Sequence, residues 1–350
     1  MTVRVLGIET SCDETAASVV EDGVRVASNV IATQHDLHET YAGVVPEIAS
    51  RAHLERILPV IRQALAEADT TLDGLDAIAV GHRPGLIGSL LVGVSAAKAL
   101  AWALDLPVLG VDHVAAHLYA GQLESPPVAY PALGLVVSGG HTSLFDVADP
   151  LRMTVIGRTI DDAIGEAYDK AATMLDLGYP GGPLVDALAA TGNDRAHRFP
   201  VANLGADRLD FSFSGLKTSL LYAVRGQPRG RGAAATFERD ASALDASEKA
   251  DFAASFQRAA VRAIVRNVRR ALDTREVRTL LVGGGVSANS RLRSELTELA
   301  VEAGLDLRLP RMEYCLDNAA MIAGLGTVRL RAGERDDWSL AASPNSLVAS

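Results

Sequence analysis

Val3-Arg4-Val5-Leu6-Gly7-Ile8-Glu9-Thr10-Ser11-Cys12-Asp13-Glu14-Thr15-Ala16-Ala17-Ser18-Val19-Val20 decides the fold class. Residues 3–8 are apolar and β-prone, Glu9 to Thr15 form a small polar turn, and Ala16 to Val20 are apolar again, which reads as strand, hairpin turn, strand. The same unit returns about 130 residues later as Ala132 to Val137, Ser138-Gly139-Gly140-His141-Thr142 and Ser143 to Val147. Both copies open on Leu-Gly (Leu6-Gly7, Leu133-Gly134) and close their turns on Thr (Thr15, Thr142). Two copies of one hairpin point to an internal duplication.

The length of 350 residues suggests two domains, and 48% hydrophobic with 22% charged residues is enough to fill two cores. The proline-bearing stretch Gln122 to Pro131 marks the boundary, giving expected units 1–125 and 126–350. The N-terminal apolar run meets Glu9, Asp13 and Glu14, unlike a signal peptide. No uncharged apolar stretch reaches the ~18 residues of a membrane span. Two cysteines, Cys12 and Cys315, fit a reducing compartment. A cytoplasmic protein of enzyme size, without a membrane partner, is the expectation. The net charge of −10 argues against indiscriminate nucleic-acid coating, so a polyanion would need a local basic patch.

Between the hairpins, Pro46 to Ala68 predicts a helix, Ala77 to Val80 a strand, and Gly81 to Gly88 a glycine-bearing turn into the apolar helix Ser89 to Ala103. That turn either holds an anion on its backbone N–H groups or serves close packing. In Leu109-Gly110-Val111-Asp112-His113-Val114-Ala115-Ala116-His117-Leu118, Asp112 is a good N-cap, and a helix from His113 puts His113 and His117 on one face. The pair is either a two-point claw for a transition metal or one solvated and one core histidine. Later, a helix over Asp161 to Leu177 carries Asp162, Glu166 and Asp169 as an acidic stripe, ending in Tyr179-Pro180-Gly181-Gly182-Pro183 and a helix with Asp186. Phe211 to Thr218 is hydroxyl-rich with one cation, Lys217, suited to a phosphate or sugar contact or to a strand. Residues 226–247 read as a mobile insertion. Arg258, Arg262, Arg266, Arg269 and Arg270 follow at helical spacing, as a solvated face or a phosphate contact. Val277 to Val282, Gly283 to Asn289 and the helix from Ser290 form a strand, glycine turn and helix, a usual nucleotide setting without the GxGxxG fingerprint. Asp317-Asn318 stands at the head of a small-residue helix, where Asp317 reads as an N-cap.

Taken together, Gly7 to Thr15, the HxxxH, Ser138 to Thr142, Tyr179 to Pro183, Phe211 to Thr218, Gly284 to Asn289 and Asp317-Asn318 resemble, in order from about residue 3 to 330, the tRNA N6-adenosine threonylcarbamoyltransferase family of bacterial type. The resemblance implies an α/β fold of two duplicated actin, sugar-kinase and Hsp70-like lobes (RNase H-like) around a nucleotide cleft, with a C-terminal segment packing back toward the first lobe. It implies one divalent metal, iron(II) first and zinc second, held by His113 and His117 from the first lobe and Asp317 from the second. It places Val136, Val137, Ser138, Gly139 and Gly140 beside an activated substrate, threonylcarbamoyl-AMP, and Asp169, Gly182, Asp186 and Asn289 around its nucleoside. The reaction implied is transfer of threonylcarbamoyl to N6 of the adenosine 3′ of the anticodon in tRNAs reading codons that begin with A, forming t6A and releasing AMP. Asp13 or Glu14 is the expected proton acceptor. Partners implied are tRNA, a paralogous dimerisation subunit and a small ATPase. Two departures stand out: Arg83-Pro84-Gly85 where relatives have Gly-Pro-Gly, and the length of 226–247. The rival readings are an ATP-dependent small-molecule kinase of the same fold class and a non-catalytic scaffold subunit. A zinc protease does not fit, since Val114 stands where its general-base Glu would follow the first His.

Overall fold

The computed structural model describes residues 2–38, 41, 43–205, 207–230 and 236–346. The opening hairpin is β1 (Arg4–Glu9) with β2 (Glu14–Glu21), and β3 (Arg25–Thr33), β4 (Ala77–Arg83) and β5 (Val108–Asp112) complete a five-stranded sheet in the order β3-β2-β1-β4-β5. The second hairpin, β6 (Ala132–Val137) with β7 (Thr142–Asp149), joins β8 (Arg152–Arg158), β9 (Thr279–Gly283) and β10 (Asp306–Arg308) in the order β10-β9-β6-β7-β8. Read from its other edge, the second sheet repeats the first. In each, the hairpin and its third strand are antiparallel while the two later strands are parallel. The duplication therefore extends to whole sheets.

Ten helices occur among the described residues: α1 (His35–His38), α2 (Pro46–Glu67), α3 (Ile87–Leu104), α4 (His113–Tyr119), α5 (Ile164–Met174), α6 (Gly181–Ala189), α7 (Ser214–Arg225), α8 (Ala246–Leu272), α9 (Ser290–Ala303) and α10 (Ala319–Arg331). On one side of the first sheet, Ile57, Val60 and Ile61 of α2 and Val94 and Ala97 of α3 pack on Leu6, Ile8, Ile78 and Val80. On its other side lie α10 and one side of α4: Ala115, Ala116, Tyr119, Ala320 and Met321 join Val5, Ala79 and Val111. The opposite side of α4, Val114 and Leu118, packs on Ala132, Val136, Phe145 and Leu281 of the second sheet. α4 is thus wedged between the sheets, which is why all seven of its residues are buried. Two glycines let α4 and α10 come this close to the sheets. A Cβ on Gly283 would stand 2.0 Å from the His117 carbonyl oxygen, and one on Gly7 would stand 2.2 Å from that of Ala319. After α10 the chain straps the first sheet: Asp336 N–H donates to Val108 O at 3.0 Å, and Ser346 Oγ donates to Asp112 Oδ2 at 2.7 Å.

Several expectations change. The helix expected from Asp161 begins at Ile164, because Asp161 instead accepts from Phe213 N–H (2.9 Å) and Ser212 Oγ, and Asp162 pairs with Lys170 (3.0 Å) and Lys217. Lys170 also pairs with Glu166 (2.6 Å), so two of the three carboxylates of the acidic stripe face lysines, and Lys217 is committed to Asp162. Three arginines of the ridge also hold the protein together: Arg266 donates to Ala202 O (2.5 Å), Arg270 to Gly205 O (2.9 Å), and Arg269 pairs with Glu302 (2.7 Å). Of the expected insertion at 226–247, residues 231–235 lie outside the described residues; Arg229 and Thr236 pair across them. Arg83 approaches Asp112 Oδ2 at 3.5 Å, so the bulky residue in the unusual turn supports the N-cap of α4. α3 is long and apolar enough, by length and composition, to cross a membrane. Here it buries Leu90, Gly93, Val94, Ala97 and Ala101, and its Lys98 donates to Leu340 O at 2.7 Å.

Gly283→Ala is expected to lower stability by about 1–3 kcal/mol through overpacking against α4. Gly139→Ala, where a Cβ meets nothing within 4 Å, is expected to change it by less than about 0.5 kcal/mol. Urea unfolding midpoints check the contrast.

Candidate active site and metal centre

β5 delivers the chain to Asp112, whose Oδ1 accepts from the N–H groups of Val114 (3.0 Å) and Ala115 (3.2 Å) and so starts α4 at His113. Asn318, not Asp317, caps α10, accepting from Met321 N–H at 3.0 Å. That leaves the Asp317 carboxylate for the histidines: its Oδ1 is 3.4 Å from His113 Nε2 and 3.2 Å from His117 Nε2. The three donor atoms lie within 4.8 Å of one another. The resemblance placed Asp317 on the second lobe; α10 instead seats it against the first sheet, beside α4, so the ligand set assembles on one layer.

The fit to a metal ion rests on His117. Its Nε2 faces Asp317 Oδ1 at 3.2 Å without hydrogen-bond geometry, and among the described residues neither buried ring nitrogen has a hydrogen-bond partner, which is costly for an imidazole unless an ion takes the Nε2 lone pair. A tetrahedral site with bonds of ~2.1 Å has edges of about 3.4 Å, matching the separations seen. Two imidazoles and a carboxylate suit iron(II) or zinc. Burial pushes the Asp317 carboxyl up, but His113 and then His117 outweigh it and hold it well below the usual carboxylate range. Burial, and then the neighbouring His113 charge, push His117 down.

Glu9, at the end of β1, is fully buried and stands 3.0 Å from His113 Nδ1 through Oε2, while Oε1 accepts from Ser11 N–H at 2.6 Å. Next along the turn, His35 Nε2 lies 3.4 Å from Glu14 Oε1 and 3.9 Å from Asp13 Oδ2. Burial raises the Glu14 carboxyl to about 8; His35 opposes this and Asp13 reinforces it. His53 braces the turn from α2, 2.8 Å from Thr15 Oγ1 and 3.0 Å from Cys12 O. Across the cleft Tyr179 meets His35 edge-on, with ring centroids 6.3 Å apart.

On the second lobe, Val136 and Val137 are buried at the end of β6, and Gly139 and Gly140 emerge exposed from it. Gly165 N–H donates to Ser138 O at 3.1 Å, holding that loop at the start of α5. Gly284 has φ of 91° and lies so close to Val137 that a Cβ would stand 2.4 Å from its carbonyl oxygen; only glycine fits. Asp169 accepts from Gly181 N–H at 2.8 Å, which places Gly182 with open space above it. Asp186 accepts from Ser290 N–H (3.0 Å), Ser290 Oγ (2.7 Å) and Gln257 Nε2 (2.9 Å). Asn289 caps α9 through Leu292 N–H at 2.9 Å and donates to Gln257 Oε1 at 2.9 Å. Asp186 and Asn289 thus meet at Gln257, while Asp169 and Gly182 sit together at the neighbouring turn. His141, close enough to His113 and His117 to feel their charge, is pushed down to about 4 by burial and by those two residues, so its imidazole is neutral at neutral pH.

Sequence reasoning overlooked Glu9, His35, Tyr179 and Gln257 as site residues. Glu9 carried a signal, a charge closing a buried strand. His35, in Thr33-Gln34-His35-Asp36, carried none.

Comparison with known proteins assigns the chain to a family. The family profile described as TsaD, tRNA N6-adenosine threonylcarbamoyltransferase, matches residues 25–324. The chain is 50% identical over 341 residues to the tRNA N6-adenosine threonylcarbamoyltransferase of Symbiobacterium thermophilum, covering 97% of this chain and 95% of that one. It is 50% identical over 344 residues to that of Anaeromyxobacter dehalogenans, covering 97% and 98%. Among solved structures, T. kodakarensis HypF matches with a TM-score of 0.58 at 15% identity, over 95% of this chain and 48% of that one. The Acidaminococcus fermentans (R)-2-hydroxyglutaryl-CoA dehydratase component A matches at 0.52 and 13%, over 95% and 100%. At such identities the likeness is one of fold, the two-lobed actin, sugar-kinase and Hsp70 class. With half of its residues shared along nearly its whole length, the chain belongs to the tRNA N6-adenosine threonylcarbamoyltransferase family, acyltransferases that modify tRNA.

Proposed function

We propose that this protein transfers the threonylcarbamoyl group from threonylcarbamoyl-AMP to N6 of the adenosine 3′ of the anticodon in tRNAs reading codons that begin with A, with one iron(II) or zinc ion held by His113, His117 and Asp317. The observation that carries the reading is the buried, otherwise partnerless His117 facing His113 and Asp317. The kinase and scaffold alternatives fall away with the family assignment, and neither calls for this donor set.

When bound, the ion supplies Lewis-acid polarisation and an anchor for the threonyl carboxylate or hydroxyl. The chain's own groups supply the rest. Gly139 and Gly140, exposed and free of side chains, let the anhydride lie against backbone N–H groups, which can hold charge developing on the carbonyl oxygen. Asp169 and Gly182 at one turn, and Asp186 and Asn289 at the next, face the nucleoside. The carboxylates retain lone pairs for ribose hydroxyls beyond the bonds they already accept. As N6 bonds to the carbonyl carbon and AMP leaves with the electrons of the anhydride bond, N6 gives up a proton. Glu14, buried beside Asp13 and His35, is the acceptor. A paralogous dimerisation subunit and a small ATPase complete the cytoplasmic system. The exposed rows Leu54 and Leu58 on α2, and Ile87 and Leu91 on α3, support a protein partner on that side.

The protein, mixed with threonylcarbamoyl-AMP, tRNA and the two partner subunits, is expected to form the modified nucleoside, read by mass spectrometry; His113→Ala is expected to abolish it with the fold intact. Absence of product from the complete wild-type mixture would contradict the proposal. Because the Glu14 carboxyl is raised to about 8, its basic form grows as pH rises toward 8. The transfer rate should climb with pH up to that point and then level. Glu14→Gln should remove this limb and cost about 10²–10⁴-fold in rate; a retained limb would point to another base.

A further inference from the structure

We infer that Glu9 is a positioning residue for the metal centre, fixing His113 as a ligand and balancing the charge of the bound ion; the inference rests on the metal reading above. Glu9 is fully buried, and its only ion-pair partner among the described residues is His113. Among the described residues no lysine or arginine pairs with it. A carboxylate so placed is costly to bury unless a positive charge faces it. The fold accommodates it deliberately: Ser11 N–H donates to Oε1 at 2.6 Å, and β4 carries Gly81 where any Cβ would stand 2.5 Å from Oε2.

The geometry gives the carboxylate a specific task. Oε2 lies 3.0 Å from His113 Nδ1, with Ser11 Oγ at 3.2 Å from the same nitrogen. A carboxylate there keeps the proton on Nδ1, and this turns the Nε2 lone pair toward Asp317, 3.4 Å away. Carboxylates that orient and enrich a ligating imidazole in this way recur in metal sites. Charge points the same way. A divalent ion with the Asp317 and Glu9 carboxylates sums to zero, whereas without Glu9 the buried centre would be left positive. His117 has no such partner on its Nδ1, so Glu9 acts on one of the two histidines alone.

The test uses Zn2+ affinity by chelator competition, the visible spectrum of the Co2+-loaded protein and melting of the metal-free protein, for wild type, His117→Ala, Glu9→Gln, Glu9→Ala and Gly81→Ala. Wild type is expected to bind one ion and His117→Ala to lose it. Glu9→Gln, equal in shape and lacking the charge, is expected to bind Zn2+ about 10–100-fold more weakly and to shift the Co2+ bands. Gly81→Ala, which displaces the carboxylate without removing it, is expected to weaken binding in the same direction. If wild type binds no ion, or His117→Ala binds as wild type does, the metal reading fails and this inference with it. If wild type binds through His117 but Glu9→Gln and Gly81→Ala keep its affinity and spectrum, Glu9 is merely structural and the inference alone is overturned. Should Glu9→Ala misfold, those two variants decide.

Discussion

The wedge of α4 between two sheets is the constraint on which the rest depends. Its seven residues serve two cores at once, Ala115, Ala116 and Tyr119 toward the first sheet and Val114 and Leu118 toward the second. A helix this short is marginal in isolation; packing on both sides and the Asp112 cap hold it. Gly283 then allows β9 to approach the His117 carbonyl so closely that the cleft loop after β9 and the histidine-bearing helix meet at one junction. The same contact places the two histidines at the boundary of the lobes.

Electrostatics completes what packing begins. Glu9, Asp13, Glu14 and Asp317 converge on the first-lobe side of the cleft of a protein whose net charge is −10. Such a concentration of carboxylates would repel an adenylate or a polyanion. Each is offset differently. Asp317 and Glu9 face histidines, Asp13 lies 3.9 Å from His35, and Glu14 keeps its proton at neutral pH. The arginines of α8, by contrast, are largely spent on residues 202, 205 and 302.

Much of this was legible in the sequence, and what was not has physical reasons. The hairpin copies announced the duplication, because alternation and turn chemistry are local. The full repetition of strand order was not readable, since β10 has only three residues. Asp112 was recognisable as a cap. Asp317-Asn318 was not resolvable, because either residue caps a helix well and only the tertiary position of the histidines draws Asp317 away. The lobe that carries Asp317 was misassigned for a similar reason: chain order says second lobe, while Gly7 and the small residues of α10 seat it on the first sheet. The arginine ridge has the spacing of a solvated face, yet residues 202 and 205 cover part of it, and periodicity cannot see a covering loop.

In the proposed arrangement His113, His117 and Asp317 form one metal centre on a single layer. Anomalous diffraction at the metal absorption edge, on crystals of the protein loaded with a single equivalent of zinc, tests it most directly. One peak is expected, within bonding distance of the two Nε2 atoms and an Asp317 oxygen. A peak instead among Asp13, Glu14 and His35, or none near α4, would contradict it.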